Sequence, residues 1–529
     1  MARIDPIRLE IFRHLFEAIA EEMGVALVRS ASSPNIKERH DSSCAIFDED
    51  GGMGAQAAHI PVHLGSTPLS VKACMDVLSF EPGDIAIVND PYEGGTHLPD
   101  VTLVSPVFVK GKKRPAFYVA NRAHHADIGG AVPGSMPMST EIFQEGIRIP
   151  PVKIVERGKL NRAAWDILLR NVRTPEERAG DLSAQIAANK TGERRLLELV
   201  KKNGLDETLR YLRALQAYTE KSLRETIRRI PDGDYSAEDF MDGDGIEDRP
   251  IRIAVTIRIR GEKAVVDFTG SDPQVRGNVN TIPAITLSSV IFAFRCLVKE
   301  NVPANAGLYA PIKVVAPAGS VVNALPPAAV CAGNVETSSR IVDVLFRALS
   351  KAMPDVIPAA SQGSMNSLIV GGIDPRTGRP FTYYETMAGG MGARPGKDGL
   401  DAVHTNMTNT LNTPIEAAEI AYPFRVHVLQ IRKGSGGKGR FKGGEGIRRG
   451  IEFLSDVTVS IITDRRKTRP YGLAGGGDGA SGRNILIREG KESELPHKAN
   501  IQASKGDIVI YETPGGGGFG APETSAAGG

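Results

Sequence analysis

Apolar residues recur at helical spacing near the start of the chain. Ile7, Ile11, Leu15, Ile19 and Met23 follow the pair Asp5-Pro6, which reads as a cap with a first-turn proline, so a helix is expected over 5–30 with Gly24 as an interruption or end. Ser42–Phe47 is a strand-like run closed by the turn Asp48-Glu49-Asp50-Gly51-Gly52, a hairpin signal. A second amphipathic helix is expected over 66–78, with Leu69, Val71, Val77 and Leu78 apolar. After the turn Glu81-Pro82-Gly83-Asp84, Ile85–Val88 and Ala116–Ala120 read as short strands. Residues 138–235 are charged and predicted to be mostly helical, over 161–173, 175–190 and 194–228. Their charges read as solvated faces, or as an arm for packing on other subunits. Strand character returns in 251–259, 264–268 and 312–315 around a buried helix over 284–297, and the last quarter is rich in strands and turns.

These patterns predict an α+β protein of several subdomains, β-rich with mixed sheets, a charged helical middle and a β-rich C-terminal section. The expected divisions are a metal-binding section over 1–137, a helical section over 138–235, a mixed section over 236–425, a β-rich section over 426–521 and a disordered tail over 522–529. A length of 529 residues suits about two to four domains.

Charge narrows the classes. With 64 basic and 62 acidic residues, the chain lacks the electrostatic footprint of a nucleic-acid binder. No stretch reaches the about 18 continuous apolar residues of a spanning helix, and the first residues do not read as a signal peptide, so a soluble cytoplasmic protein is expected. The four cysteines are far apart and form no CxxC pair, which suits small buried residues in a reducing compartment. The 58 glycines are not periodic and read as turns. Gly434–Gly439 lacks the Ser or Thr that a phosphate loop needs after Lys438, and Gly515–Gly518 reads as a loop.

Candidate chemistry is concentrated early. Six of the ten histidines (His40, His59, His63, His97, His124, His125) lie between residues 40 and 125. His97 and Asp100, three apart across Pro99 in a turn, can converge on one ion. His124 and His125 follow the strand after Ala116, and Asp41 at a strand entrance is a natural fourth ligand. Adjacent histidines on extended chain face opposite sides, so one of the pair is expected to bind the metal and the other to support the ligands from behind or to act as acid or base. Asp127 is expected to orient an imidazole or move a proton. His59 and His63 read as structural, because Pro61 between them argues against the helix that would align them.

Several long motifs then coincide with one family. HDSSCAIFD, NDPYEGGTHLPDVTLVSPVF, NRAHHADIGG, EIFQEGIRIPPVK, VDFTGSDPQVRGNVN, CAGNVETSSRIVDVL, GGMGARPGKDGLDAVHTNMTNT, GGEGIRRGIEF and TPGGGGFG resemble the hydantoinase B family, which includes the C-terminal part of 5-oxoprolinases and the large subunits of acetone carboxylases. The resemblance implies a zinc- or manganese-dependent subunit that works beside a hydantoinase A-type partner, which binds ATP and phosphorylates the substrate. It places the metal ligands on Asp41, His97, Asp100 and one of His124 and His125. With His124 taken as the ligand, His125 and Asp127 are the expected catalytic groups. The expected activity is opening of an activated cyclic amide within a hetero-oligomer. The alternatives are the metal-bearing subunit of an ATP-dependent ketone carboxylase and a subunit whose metal is only structural.

Overall fold

The structure is a computed structural model describing residues 4–57 and 60–522. The expected disordered tail beyond Pro522, and His59, lie outside the described residues.

Helix α1 (Pro6–Ser30) starts as its sequence dictates, with the Asp5 carboxylate accepting the Ile7 N–H and Pro6 in the first turn. It runs through Gly24 without a break. Its buried face is Phe12, Phe16, Ile19, Met23 and Leu27, while Ile7 and Ile11 are exposed. The aromatic residues therefore set the buried stripe, and the expected stripe is correct only toward its C-terminal end. The short helix α2 (Pro34–Lys37) leads into β1 (Ser42–Asp48) and its hairpin partner β2 (Met53–Ala57). Then come α3 (Thr67–Val77), β3 (Ile85–Val88), β4 (Asp100–Val107), β5 (Phe117–His124), β6 (Val152–Glu156) and β7 (Lys159–Leu160).

These strands form one antiparallel seven-stranded sheet in the order β2-β1-β5-β4-β3-β6-β7. Its last two strands come from the stretch expected to be helical, where helices begin only at α4 (Arg162–Arg170). Helix α5 (Pro175–Asn203) and helix α6 (Leu205–Arg228) follow, joined at Gly204, whose φ of 85° breaks what would otherwise be one helix. With α1, α5 covers one face of the sheet. It is not only a solvated face, because Arg178, Asp181, Gln185 and Asn189 are buried on it. The Asp181 carboxylate accepts the N–H groups of Ser32 and Ser33, tying α5 to the turn after α1.

A second, mixed sheet has the order β11-β10-β9-β8. It contains β8 (Gly233–Met241), β9 (Ile251–Arg260), β10 (Lys263–Asp267) and, after α7 (Pro283–Arg295), the parallel strand β11 (Ile312–Val315). Helix α8 (Ser338–Leu349) packs against α7, β8 and β9. The C-terminal part holds β12 (Ser367–Asp374), β13 (Arg379–Glu385), α9 (Ile415–Ala421), β14 (Phe424–Arg432), β15 (Gly446–Phe453), β16 (Val457–Ile462), β17 (Arg483–Arg488), β18 (Lys491–Leu495), β19 (Lys498–Ala503) and β20 (Ile508–Glu512). They build two sheets, β13-β12-β16-β19 and β14-β15-β20-β17-β18. The first draws strands from both sides of residue 426.

Buried ion pairs tie the second sheet to the C-terminal part. Arg465 binds Asp239 on β8 and Asp343 on α8 at 2.7 Å each, and Arg340 binds Asp464 at 2.8 Å. The glycine runs are packing surfaces as well as turns. Gly516 N–H donates to Gly444 O, Gly517 N–H to Ala360 O and Gly437 N–H to Gly516 O, so bare backbones stack directly on one another. The amides of Gly515–Gly518 are thereby taken up within the protein. Among the described residues no helix is long and apolar enough to cross a membrane.

Candidate metal centre

Register places the centre. Asp100, the first residue of β4, is the Cα partner of His124, the last residue of β5. Paired residues on adjacent strands present their side chains on the same face. Two positions inward, Arg122 pairs with Thr102 on that face and its Nε donates to Thr102 Oγ1 at 2.8 Å. The odd positions of β5 face α5: Asn121 donates to Gln185 O and Asn189 Oδ1.

His97, in the turn before β4, completes a triangle. Its Nε2 lies 3.2 Å from Asp100 Oδ1 and 3.2 Å from His124 Nδ1, and His124 Nδ1 lies 3.3 Å from Asp100 Oδ1. All three residues are buried. Among the described residues, these are the three that offer metal-ligand atoms within 4.8 Å of one another. Ligand atoms at about 2.0–2.1 Å around a tetrahedral ion stand about 3.3 Å apart, so the triangle has the edge length of half-built metal coordination. The chemistry also fits. His97 Nδ1 donates to the Cys331 carbonyl at 3.0 Å, which fixes the tautomer and turns the Nε2 lone pair inward. Two imidazole nitrogens and a carboxylate oxygen facing one point need a cation or a shared proton between them.

The surroundings hold each ligand in place. Asp100 Oδ2 accepts from Thr96 Oγ1 at 2.7 Å and from Asn334 Nδ2 at 3.3 Å, and lies 3.5 Å from His63 Nε2. Burial acts to raise the Asp100 pKa, but the neighbouring His97 and His63 outweigh it and hold the carboxyl well below its usual range. His97 is also buried, yet the Asp100 carboxylate raises its pKa on balance. His124 is lowered, chiefly by burial. Tyr384 stacks on His124 with ring centroids 4.4 Å apart and planes at 17°, and the Arg39 guanidinium lies over the Tyr384 ring at 5.0 Å from its centroid. Asn35 on α2 donates to the His124 carbonyl at 2.7 Å.

The structure brings His97, Asp100 and His124 together. The Asp41 carboxylate is not within the triangle. Its backbone carbonyl accepts the His124 N–H at 3.0 Å, and its charge acts to raise the His124 pKa. His125 and Asp127 are not brought to the triangle. The His125 side chain faces α5, with Nε2 2.9 Å from Gln185 Oε1, and burial with nearby Arg178 pushes its pKa down to about 4. The Asp127 carboxylate accepts from the N–H groups of Gly129, Gly134 and Arg173 and from the Arg173 guanidinium at 2.9 Å. It organises a loop.

At His63 the chain forms only the short 3-10 turn Pro61–His63, which Pro61 starts. The turn delivers His63, fully buried, beside Asp100, with Nδ1 3.0 Å from Ser43 Oγ. Asn334 and Tyr384 come from more than 200 residues downstream, and no local pattern connects them to the histidines.

One step behind His97 lies Glu145. Its Oε1 accepts from Ser139 Oγ at 2.7 Å and from the N–H groups of Val330 and Cys331, so it fixes the carbonyl that orients His97. Burial pushes the Glu145 carboxyl up to about 7. An acid with a raised folded-state pKa binds its proton more tightly when folded, so stability falls as pH rises from its unfolded value near 4.5 to 7. This group alone accounts for on the order of 3 kcal/mol over that window. Glu145→Gln, which keeps the accepting oxygen, is expected to flatten the decline. Urea unfolding at pH 5 and pH 8 measures it, and an unchanged pH slope in the variant would contradict the assignment.

Residues 5–522 match the model of Hydantoinase B/oxoprolinase. The chain belongs to that family. It is 44% identical to an uncharacterized protein of Methanocaldococcus jannaschii over 98% of this chain and 91% of that one. It is 41% identical to a 5-oxoprolinase of Dictyostelium discoideum, again over 98% of this chain but only 41% of the relative. The family member here thus spans about two fifths of that longer protein. Among solved structures it resembles an ATP-dependent caprolactamase from Pseudomonas jessenii, with TM-score 0.91, 31% identity and coverage of 98% of this chain and 91% of the other. An acetone carboxylase structure shares the fold, with TM-score 0.90 and 19% identity over 98% of this chain and 76% of the other.

Proposed function

We propose that this chain is the metal-dependent component of an ATP-coupled cyclic-amide hydrolase. It works in a hetero-oligomer with a hydantoinase A-type ATP-binding partner that phosphorylates the substrate. The observation that carries the reading is the buried triangle of His97 Nε2, His124 Nδ1 and Asp100 Oδ1, in a chain 31% identical to a caprolactamase and 41% identical to a 5-oxoprolinase. Acetone carboxylase shares the fold at only 19% identity, so it adds no comparable support for ketone chemistry.

In this reading His97, Asp100 and His124 hold zinc or manganese, and Asp41 adds negative charge nearby. The bound ion would supply Lewis acidity and a water of lowered pKa. The protein's own part is positional. Cys331 O and Tyr384 fix the two imidazoles, Thr96 and Asn334 fix the outer oxygen of Asp100, and burial excludes bulk water. With His125 on Gln185 and Asp127 on Arg173, neither is assigned the proton transfer.

The test is reconstitution. The purified chain, an A-type partner and ATP are incubated with lactams of different ring size. The expected result is ring-opened amino acid formed together with ADP and phosphate, lost on chelation and restored by zinc or manganese. Turnover that survives complete metal removal, or labelled bicarbonate retained in the product, would overturn the reading.

A further inference from the structure

Asn334 is tied to the centre and left half-used. It sits in the π-helical turn Gly333–Thr337 that precedes α8, a wide turn of the kind often found at functional sites. Gly333 lets this turn press against the chain at Asn280, since a Cβ there would lie 1.9 Å from Asn280 O. The turn is therefore held from behind, and Asn334 projects from a fixed backbone. Its own carbonyl is occupied, accepting from Ser338 Oγ at 2.8 Å.

The side-chain amide has a definite orientation. Asp100 offers only acceptor oxygens, so the amide end that meets Oδ2 at 3.3 Å is the NH2 group. That leaves Oδ1 as the other end. It is buried, in a residue only 5% exposed, and it has no partner in the protein. A buried carbonyl without a donor costs about 1–3 kcal/mol, so the position calls for a donor from outside the protein.

We propose that Asn334 is a substrate-orienting residue whose Oδ1 accepts the ring N–H of a cyclic amide bound at the His97–Asp100–His124 centre. The inference rests on the cyclic-amide reading above and narrows it to substrates with an unsubstituted ring nitrogen. A ketone has no N–H to offer this oxygen, so the same group selects amides over ketones. Phosphorylation of the amide oxygen makes the ring an imidate, which keeps its N–H in the protonated form that an acceptor favours. Water then adds to the imidate carbon and gives up a proton, the C–N bond breaks as the nitrogen gains a proton to leave as an amine, and a second water hydrolyses the remaining acyl phosphate to carboxylate and phosphate. An acceptor beside that nitrogen holds its N–H throughout.

The test separates binding from turnover. Wild-type protein and Asn334→Ala are loaded with cobalt(II), and the visible spectrum is titrated with 2-pyrrolidinone and with 1-methyl-2-pyrrolidinone. Wild type is expected to respond to the N–H lactam at a concentration at least about tenfold lower than to the N-methyl lactam, the scale of one hydrogen bond from a neutral group. Asn334→Ala also loses its contact to Asp100 and is expected to bind cobalt up to about 100-fold more weakly, so both proteins are titrated at saturating cobalt, where the variant is expected to respond to both lactams at equal concentrations. Equal responses in wild type overturn the inference without reference to any variant. A preference kept in cobalt-saturated Asn334→Ala overturns it as well. Lactam turnover by the complete assembly is measured in parallel. Its absence removes the hydrolase reading, while the cobalt titration still decides whether Asn334 selects the N–H.

Discussion

Asp100→Asn is expected to lower divalent-cation affinity by at least about 100-fold, more than the 10- to 100-fold typical of losing an outer-sphere partner, because Asp100 supplies a direct ligand and the centre's negative charge. Oδ1 of Asp100 is the vertex that both imidazole nitrogens share, at 3.2 and 3.3 Å. The substitution keeps shape and keeps an oxygen, but it removes the charge that raises the His97 pKa and offsets repulsion from a bound cation. Thr96 Oγ1 can still donate to the Asn oxygen, so folding is expected to survive. The check is metal content after dialysis, paired with circular dichroism. Metal-dependent ring opening by the reconstituted assembly should fall about 1000-fold, in line with loss of a principal catalytic electrostatic group. A variant that keeps its metal and its turnover would show the triangle to be a structural knot of polar groups.

Gly516→Ala is expected to destabilise the C-terminal part by more than about 3 kcal/mol, beyond ordinary overpacking, because the clash is with backbone. A Cβ at Gly516 would lie 2.0 Å from Met391 O and 2.3 Å from Met391 C, and no rotamer change can clear a main-chain atom. The same segment donates Gly516 N–H to Gly444 O and Gly517 N–H to Ala360 O, so a shift that relieved the clash would break these bonds as well. Gly490 is the control. It has φ 75° in the turn between β17 and β18, and a Cβ there meets nothing within 4 Å. Gly490→Ala should cost only the left-handed strain of about 1–2 kcal/mol. Thermal unfolding of both variants measures the difference. Equal losses would mean that the glycine runs serve only as turns.

The sequence made the centre legible where its geometry is local. Extended chain through His124 and His125 sends the two rings to opposite faces, and a His-x-x-Asp turn before a strand brings His97 back onto Asp100. What decides between the two histidines is register, since β5 pairs His124 with Asp100, and pairing is a long-range property. Helix α1 shows the same limit on a smaller scale: the spacing was right, but packing against α5 chose the phenylalanines over Ile7 and Ile11. The place of His63 beside Asp100 is equally invisible in sequence, because it depends on where the 3-10 turn Pro61–His63 packs. Asn334, Tyr384 and the Cys331 carbonyl come from elements far along the chain. Their roles exist only once the second and third sheets close over the first. The glycine packing was hidden for a similar reason. A glycine demanded by another backbone passing 2 Å from its missing Cβ looks, in sequence, like a glycine demanded by a turn.

Anomalous diffraction from crystals of the protein loaded with zinc or manganese, collected at the metal's absorption edge, tests the central claim most directly. The expected result is one strong peak bonded to His97 Nε2, His124 Nδ1 and an Asp100 oxygen, with His125 still on Gln185. A peak bonded to His125 or Asp127, or a loaded protein with no peak at the triangle, would contradict it.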